Sequence, residues 1–157
     1  MQPTPIHRIQ GNGLFSPLAG QDVATSGVVI GATRKGFFIQ DPQGDVTAAE
    51  SQGIFVLERG KKPTVGSLVA VAGEVVDYLP DENARPTTQL IAGAVQELEF
   101  YGPEIKPVWL TAKNVLVEPE KLAVFLNSLE GMLVGVEAGA IFTAPSNPFG
   151  DYVLAPA

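Results

Sequence analysis

Four short apolar runs between Asp22 and Tyr78 limit what this chain can fold into. They are Asp22-Val-Ala-Thr-Ser-Gly-Val-Val-Ile-Gly31, Gly36-Phe-Phe-Ile-Gln-Asp41, Gly53-Ile-Phe-Val-Leu57 and Ser67-Leu-Val-Ala-Val-Ala-Gly-Glu-Val-Val-Asp-Tyr78. Each is rich in Val, Ile or Phe, and segments carrying Gly, Asp, Lys and Pro separate them. Side chains of this kind pack well on a pleated surface, so the runs predict strands. A fifth run, Thr88-Gln-Leu-Ile-Ala92, extends towards Leu98.

Five such strands suit an all-β domain, a small Greek-key barrel of the oligonucleotide/oligosaccharide-binding (OB) kind. Gly27 and Gly73 lie inside β-branched runs, where glycine marks a bulge or barrel corner, or makes room for a bulky neighbour. The expected organisation is an N-terminal segment, residues 1–21, packed on the barrel; the barrel itself, residues 22–98; and a C-terminal strand–helix–strand extension, residues 99–157. In the N-terminal segment, Ile6-His-Arg-Ile-Gln-Gly11 reads as a short strand. Leu14, Phe15 and Leu18 are expected to plug one barrel end. In the extension, Trp109 is expected to anchor the chain on the barrel. A helix is predicted near 119–130, with Pro119 in its first turn, Gly131 at its end, and Leu122, Phe125, Leu126 and Leu129 as its buried face. Further strands are read at 132–136, 140–143 and 151–154. A faint echo of the Gly20–Ile39 spacing in Gly131–Val153 slips in register and is read as chance.

With 157 residues, 45% of them hydrophobic, the chain has enough apolar material for one sizeable core. No apolar run is long enough to span a membrane as a helix. There is no cysteine, which excludes disulfides and thiol chemistry, and Met1-Gln-Pro-Thr-Pro5 does not read as a signal peptide. The single histidine, His7, has no acidic or metal-ligand pattern beside it and reads as a surface or packing residue. No phosphate loop or hydrolase motif occurs, so the chain by itself is not expected to be an enzyme.

Two binding sites are legible as candidates. Asp41, Asp45 and Glu50 lie in one long connection and offer hard oxygen ligands suited to Ca²⁺. The same residues also suit an Asp-Pro turn with solvated acids. Six of the ten Lys and Arg residues, namely Arg34, Lys35, Arg59, Lys61, Lys62 and Arg85, fall in the barrel's connections. With Phe37 or Phe38, Phe55 and Tyr78 available for stacking, they form a candidate surface for single-stranded nucleic acid. The net charge of −7 limits how many phosphates such a surface neutralises, so this binding is expected to be weak and salt-sensitive.

Several motifs together resemble a known family. Ile6-His-Arg-Ile-Gln-Gly11, Gly36-Phe-Phe-Ile-Gln-Asp41, Gly53-Ile-Phe-Val56 and Leu129-Glu-Gly-Met-Leu-Val134 occur in an order similar to the OB-fold region of bacterial secreted nucleases. In that family the region lies upstream of an endonuclease/exonuclease/phosphatase-type catalytic domain. The resemblance implies a noncatalytic nucleic-acid-binding accessory module, an extracellular or periplasmic location, and a nuclease catalytic domain as partner. The chain departs from the pattern in its 43–51 loop, which weakens the calcium assignment. No catalytic domain follows Ala157, so an excised module or a stand-alone relative is expected. The alternative function is a protein-interaction module that packs against a partner or a missing catalytic domain. A continuous basic stripe favours the nucleic-acid role, and an apolar patch without one favours the protein partner.

Overall fold

The computed structural model describes residues 2–82, 84–115, 118–144 and 153–155. Five strands carry the core: β1 (Asp22–Ala32), β2 (Gly36–Gln40), β3 (Gly53–Leu57), β4 (Leu68–Tyr78) and β5 (Thr87–Leu98). They close into a barrel in the order β1-β2-β3-β5-β4. β1 pairs antiparallel with both β2 and β4, and Val28 faces Gln40 on one side and Leu68 on the other. The parallel seam is short, running from Phe55↔Gln89 to Leu57↔Ile91. Beyond it β5 continues on β4 alone, as far as Leu98↔Leu68.

The two strand glycines have separate reasons. Gly73 lies at the register shift between β4 and β5, where a Cβ would come within 2.2 Å of the Ile91 carbonyl oxygen. At Gly27 a Cβ would meet the Gln40 carbonyl at 3.1 Å, just before β1 takes β2 as a second neighbour.

Alternation fills the interior. Phe37, Ile39, Ile54, Val56, Val69, Val75 and Leu90 are fully buried, while Phe38 and Phe55 turn outward and remain half-buried. The end plug is α1 (Ile6–Gln10), which places Ile6 and Ile9 in the same core. This corrects the expected strand at Ile6–Gly11. The two isoleucines are three apart, a spacing that puts them on one face of a helix and on opposite faces of a strand. The plug residues are corrected with it: Leu18 packs on the core, but Leu14 and Phe15 are 49% and 58% exposed. Gln10 then ties α1 down, its Nε2 donating to the Gly53 carbonyl at 2.6 Å.

The extension contains β6 (Val108–Leu110), α2 (Ala112–Val115), α3 (Pro119–Ser128), β7 (Val134–Val136), β8 (Ile141–Ala144) and β9 (Val153–Ala155). β6 and β7 pair in parallel, and β8 and β9 antiparallel, as separate two-stranded sheets. The chain is thus mostly sheet with helical decorations, which corrects an all-β description. Trp109 is 55% exposed and does not anchor on the barrel. Its ring lies across Gly135, where a Cβ would come within 2.8 Å of it. α3 ends two residues before its predicted limit and buries no residue. Leu122 and Phe125 are half-covered, and Leu126 is exposed. The residues that do dock follow the helix: Leu129 and Met132 are buried. Asp151 and Tyr152, part of the last expected strand, lie outside the described residues.

Candidate functional site

The segment Leu129–Leu133 forms a strap across the outer face of the barrel. Its bonds reach three places. The Ser51 hydroxyl donates to the Glu130 carbonyl at 2.6 Å, and the Leu133 N–H donates to Gln40 Oε1 at 2.8 Å. The Thr88 N–H donates to the Glu130 carboxylate at 2.7 Å. Gly53 and Gly131 make the approach possible. A Cβ on Gly53 would lie 2.3 Å from the Gly131 carbonyl oxygen, and Gly131 itself has φ +70°.

Between this strap and the turn joining β1 to β2 lies a cleft of about 820 Å³. Its floor is Phe38 on β2 and Phe55 on β3, with ring centroids 4.9 Å apart and planes tilted by 57°. That geometry is favourable for an aromatic pair, and it presents apolar surface to an incoming group. Arg34 and Lys35 line one end from the exposed β1–β2 turn. Thr33 braces that turn: its hydroxyl accepts from the N–H groups of Lys35 and Gly36 at 3.2 Å each. Glu130 and Gly131 line the strap side, and Thr87, Thr88 and Gln89 of β5 complete the wall.

Glu130 is the electrostatically distinctive group. Burial pushes its carboxyl above the ordinary carboxylate range, and the nearby Asp77 adds to the rise, against the lowering effect of the Thr88 N–H. Asp77 on β4 is itself fastened: it accepts from the Ser16 N–H at 3.1 Å and from the Thr88 hydroxyl at 2.9 Å. Thr88 therefore bridges two carboxylates. No cation of the described chain is found at ion-pair distance from Glu130.

The sequence-predicted residues do not assemble into one basic groove. Arg34, Lys35 and Phe55 meet in the cleft, with Phe38 in place of Phe37. Phe37 is sealed in the core and has no face to offer. Lys62 folds back on its own connection, its Nζ donating to the carbonyls of Glu58 and Gly60. Lys61 and Arg59 lie exposed in that same β3–β4 connection, and Lys61 faces Glu97. Arg85 lines a separate hollow with Leu14 and Val124. Tyr78 is exposed at the end of β4. The nucleic-acid role is corrected: of the predicted residues only Arg34, Lys35 and Phe55 line the cleft, too few cations to hold a phosphate backbone.

The acidic loop is held as turns. Asp41 accepts from the Gln43 N–H at 2.8 Å. Asp45 accepts from both the hydroxyl and the N–H of Thr47, at 2.6 and 2.9 Å, and these bonds hold its carboxyl below the ordinary range. Glu50 lines a different hollow, with His7, Arg8 and Asp22. Among the described residues no cluster of three or more His, Cys, Asp or Glu side chains is arranged to hold a metal ion.

The fold and site define a small closed barrel with a strap-bounded cleft of mixed charge. No family model and no curated protein matches the chain. The resemblance to secreted nucleases therefore finds no support in family models or curated proteins, and the accessory role it implied is corrected. The OB-fold assignment is corrected with it: no match places the barrel in that family. Among the described residues no helix is long and apolar enough to cross a membrane.

Proposed function

We propose that this chain is a protein-interaction module that captures an extended segment of a partner protein in the cleft between strap and barrel. One observation carries this reading: a half-covered Phe38–Phe55 floor lies between a cationic end, Arg34 and Lys35, and a carboxylate end, Glu130. Binding sites are concave and largely apolar, with a few polar groups that fix orientation, and a volume near 820 Å³ suits a short peptide stretch. The lining supports recognition more than chemistry. It holds rings, hydroxyls, an amide and fixed charges, while the lone His7 lies in another hollow.

The test is selection of a displayed random peptide library on the full chain, followed by titration of the enriched peptides. Peptides with a large apolar or aromatic residue are expected to be enriched. Phe55→Ala is expected to weaken them by about 2 kcal/mol, the scale of an interface hot spot. Trp109→Ala, on the two-stranded sheet and outside the cleft lining, is expected to leave them unchanged. A library that yields no binder sensitive to Phe55→Ala overturns the proposal.

A further inference from the structure

The two ends of the cleft carry opposite charge, and this specifies the ligand further. We infer that the captured segment is dipolar, with an acidic residue for Arg34 and Lys35, an aromatic or large apolar side chain over Phe38 and Phe55, and a basic residue for Glu130. The inference rests on the interaction reading above and deepens it.

The cationic end is open. Arg34 and Lys35 are exposed neighbours on a braced turn, and neither has an ion-pair partner among the described residues. A carboxylate arriving there gains charge-assisted hydrogen bonds. Taken alone, that would select a simple acidic peptide. Two further observations exclude so plain a ligand. The chain carries a net charge of −7, so its overall field repels an acidic segment and attracts a basic one. At the other end, Glu130 is held half-buried by the Thr88 N–H, with Asp77 reached through the same threonine. Glu130 is the carboxylate that lines the cleft, and with Asp77 behind Thr88 and no cation of the described chain at ion-pair distance, an incoming ammonium or guanidinium is favoured there.

The groups that face Glu130 can be named element by element. β4 supplies Asp77. The β1–β2 turn supplies Arg34 and Lys35 across the cleft. β2, β3 and β5 supply only Phe38, Phe55, Thr87, Thr88 and Gln89. Glu130 is thus the group in the cleft whose ionisation switches its attraction for a cation. Its raised proton affinity places that switch above the ordinary glutamate range.

The experiment uses the full chain, an enriched peptide labelled for fluorescence anisotropy, and variants of that peptide with its basic or its acidic residue replaced by Gln. Replacing the basic residue is expected to weaken binding to the native chain about tenfold, the scale of a hydrogen bond to a charged group. The same replacement should have no effect on Glu130→Gln, whose amide still accepts from Thr88. Replacing the acidic residue should cost a similar factor, which disappears in Arg34→Ser/Lys35→Ser. Acidification from neutral to about pH 5 should weaken the native complex more than the Glu130→Gln complex. Circular dichroism under each condition confirms that the variants remain folded. A peptide bound through Phe55 but indifferent to its basic residue overturns the dipolar inference and leaves the interaction reading intact. Absence of any Phe55-dependent peptide overturns the interaction reading itself.

Discussion

The barrel and the C-terminal extension are built by different means. In the barrel, every strand has a neighbour on each side, and inward side chains such as Phe37, Ile54 and Val69 are wholly removed from water. In the extension, α3 buries no residue, and Trp109, Val124 and Leu126 stay exposed. The extension is fixed to the barrel chiefly by five residues, Leu129–Leu133, through named hydrogen bonds and one glycine–glycine approach. A full hydrophobic core therefore supplies the stability of one region, while two buried side chains, Leu129 and Met132, and a few polar contacts supply the placement of the other. The cleft lies where the two meet.

The largest test of this contrast sets one aromatic residue from each region against the other. Phe37→Ala should destabilise the whole chain by about 3–5 kcal/mol, as expected for emptying a packed core position. Trp109→Ala should change stability by no more than about 0.5 kcal/mol, because a half-exposed ring leaves little cavity. Urea unfolding of both variants measures the difference. Equal losses would show that the extension has a core of comparable weight.

A second change acts on the junction. Gly53→Ala places a Cβ against the Gly131 backbone and should cost about 1–3 kcal/mol by overpacking. Hydrogen exchange should then rise at residues 129–133 while β1, β4 and β5 keep their protection. Uniform loss of protection would mean that strap and barrel open as one unit.

Ser51→Ala is milder. It removes the hydroxyl that holds the Glu130 carbonyl and should cost about 0.5–1.5 kcal/mol.

The smallest effect is a pH dependence. The Glu130 carboxyl lies above its ordinary range in the folded chain, so the folded state binds that proton more tightly than the unfolded state. Its contribution is therefore fullest at acid pH and is lost as pH rises from the ordinary glutamate value through the raised one. Glu130→Gln should flatten that part of the stability–pH curve. Thermal midpoints between about pH 4 and pH 7 measure it, and an unchanged slope would remove Glu130 from the account.

The same contrast explains what was legible in the sequence. β2 and β3 begin at Gly36 and Gly53, where their apolar runs begin, because strand patterning is local and barrel interiors reward it. In the N-terminal segment the apolarity of Ile6 and Ile9 suits a strand, but their three-residue spacing puts both on one helix face. Leu14 and Phe15 misled because large apolar residues on a glycine-rich loop are not obliged to be inside. In α3 the helical period was present, but periodicity shows which face is apolar, not whether anything covers it.

The cleft was half legible. Arg34, Lys35 and Phe55 stood out by residue type and position in connections or on an outer face. Once Phe37 is assigned to the core, alternation assigns Phe38 to the surface. Glu130 was beyond reach, since its partner Thr88 is 42 positions away and nothing local signals the pairing. The Gly36–Asp41 and Leu129–Val134 motifs, singled out separately, meet through Gln40 and Leu133. They specify the attachment of the strap.

The central claim is that barrel and strap form one binding site. Amide chemical-shift mapping of the full chain, titrated with a selected dipolar peptide, tests it most directly. Concerted shifts are expected at Lys35, Phe38, Phe55, Thr88 and Gly131, with Trp109 and α3 unmoved. Shifts confined to the extension, or to the barrel without Glu130 and Gly131, would contradict it.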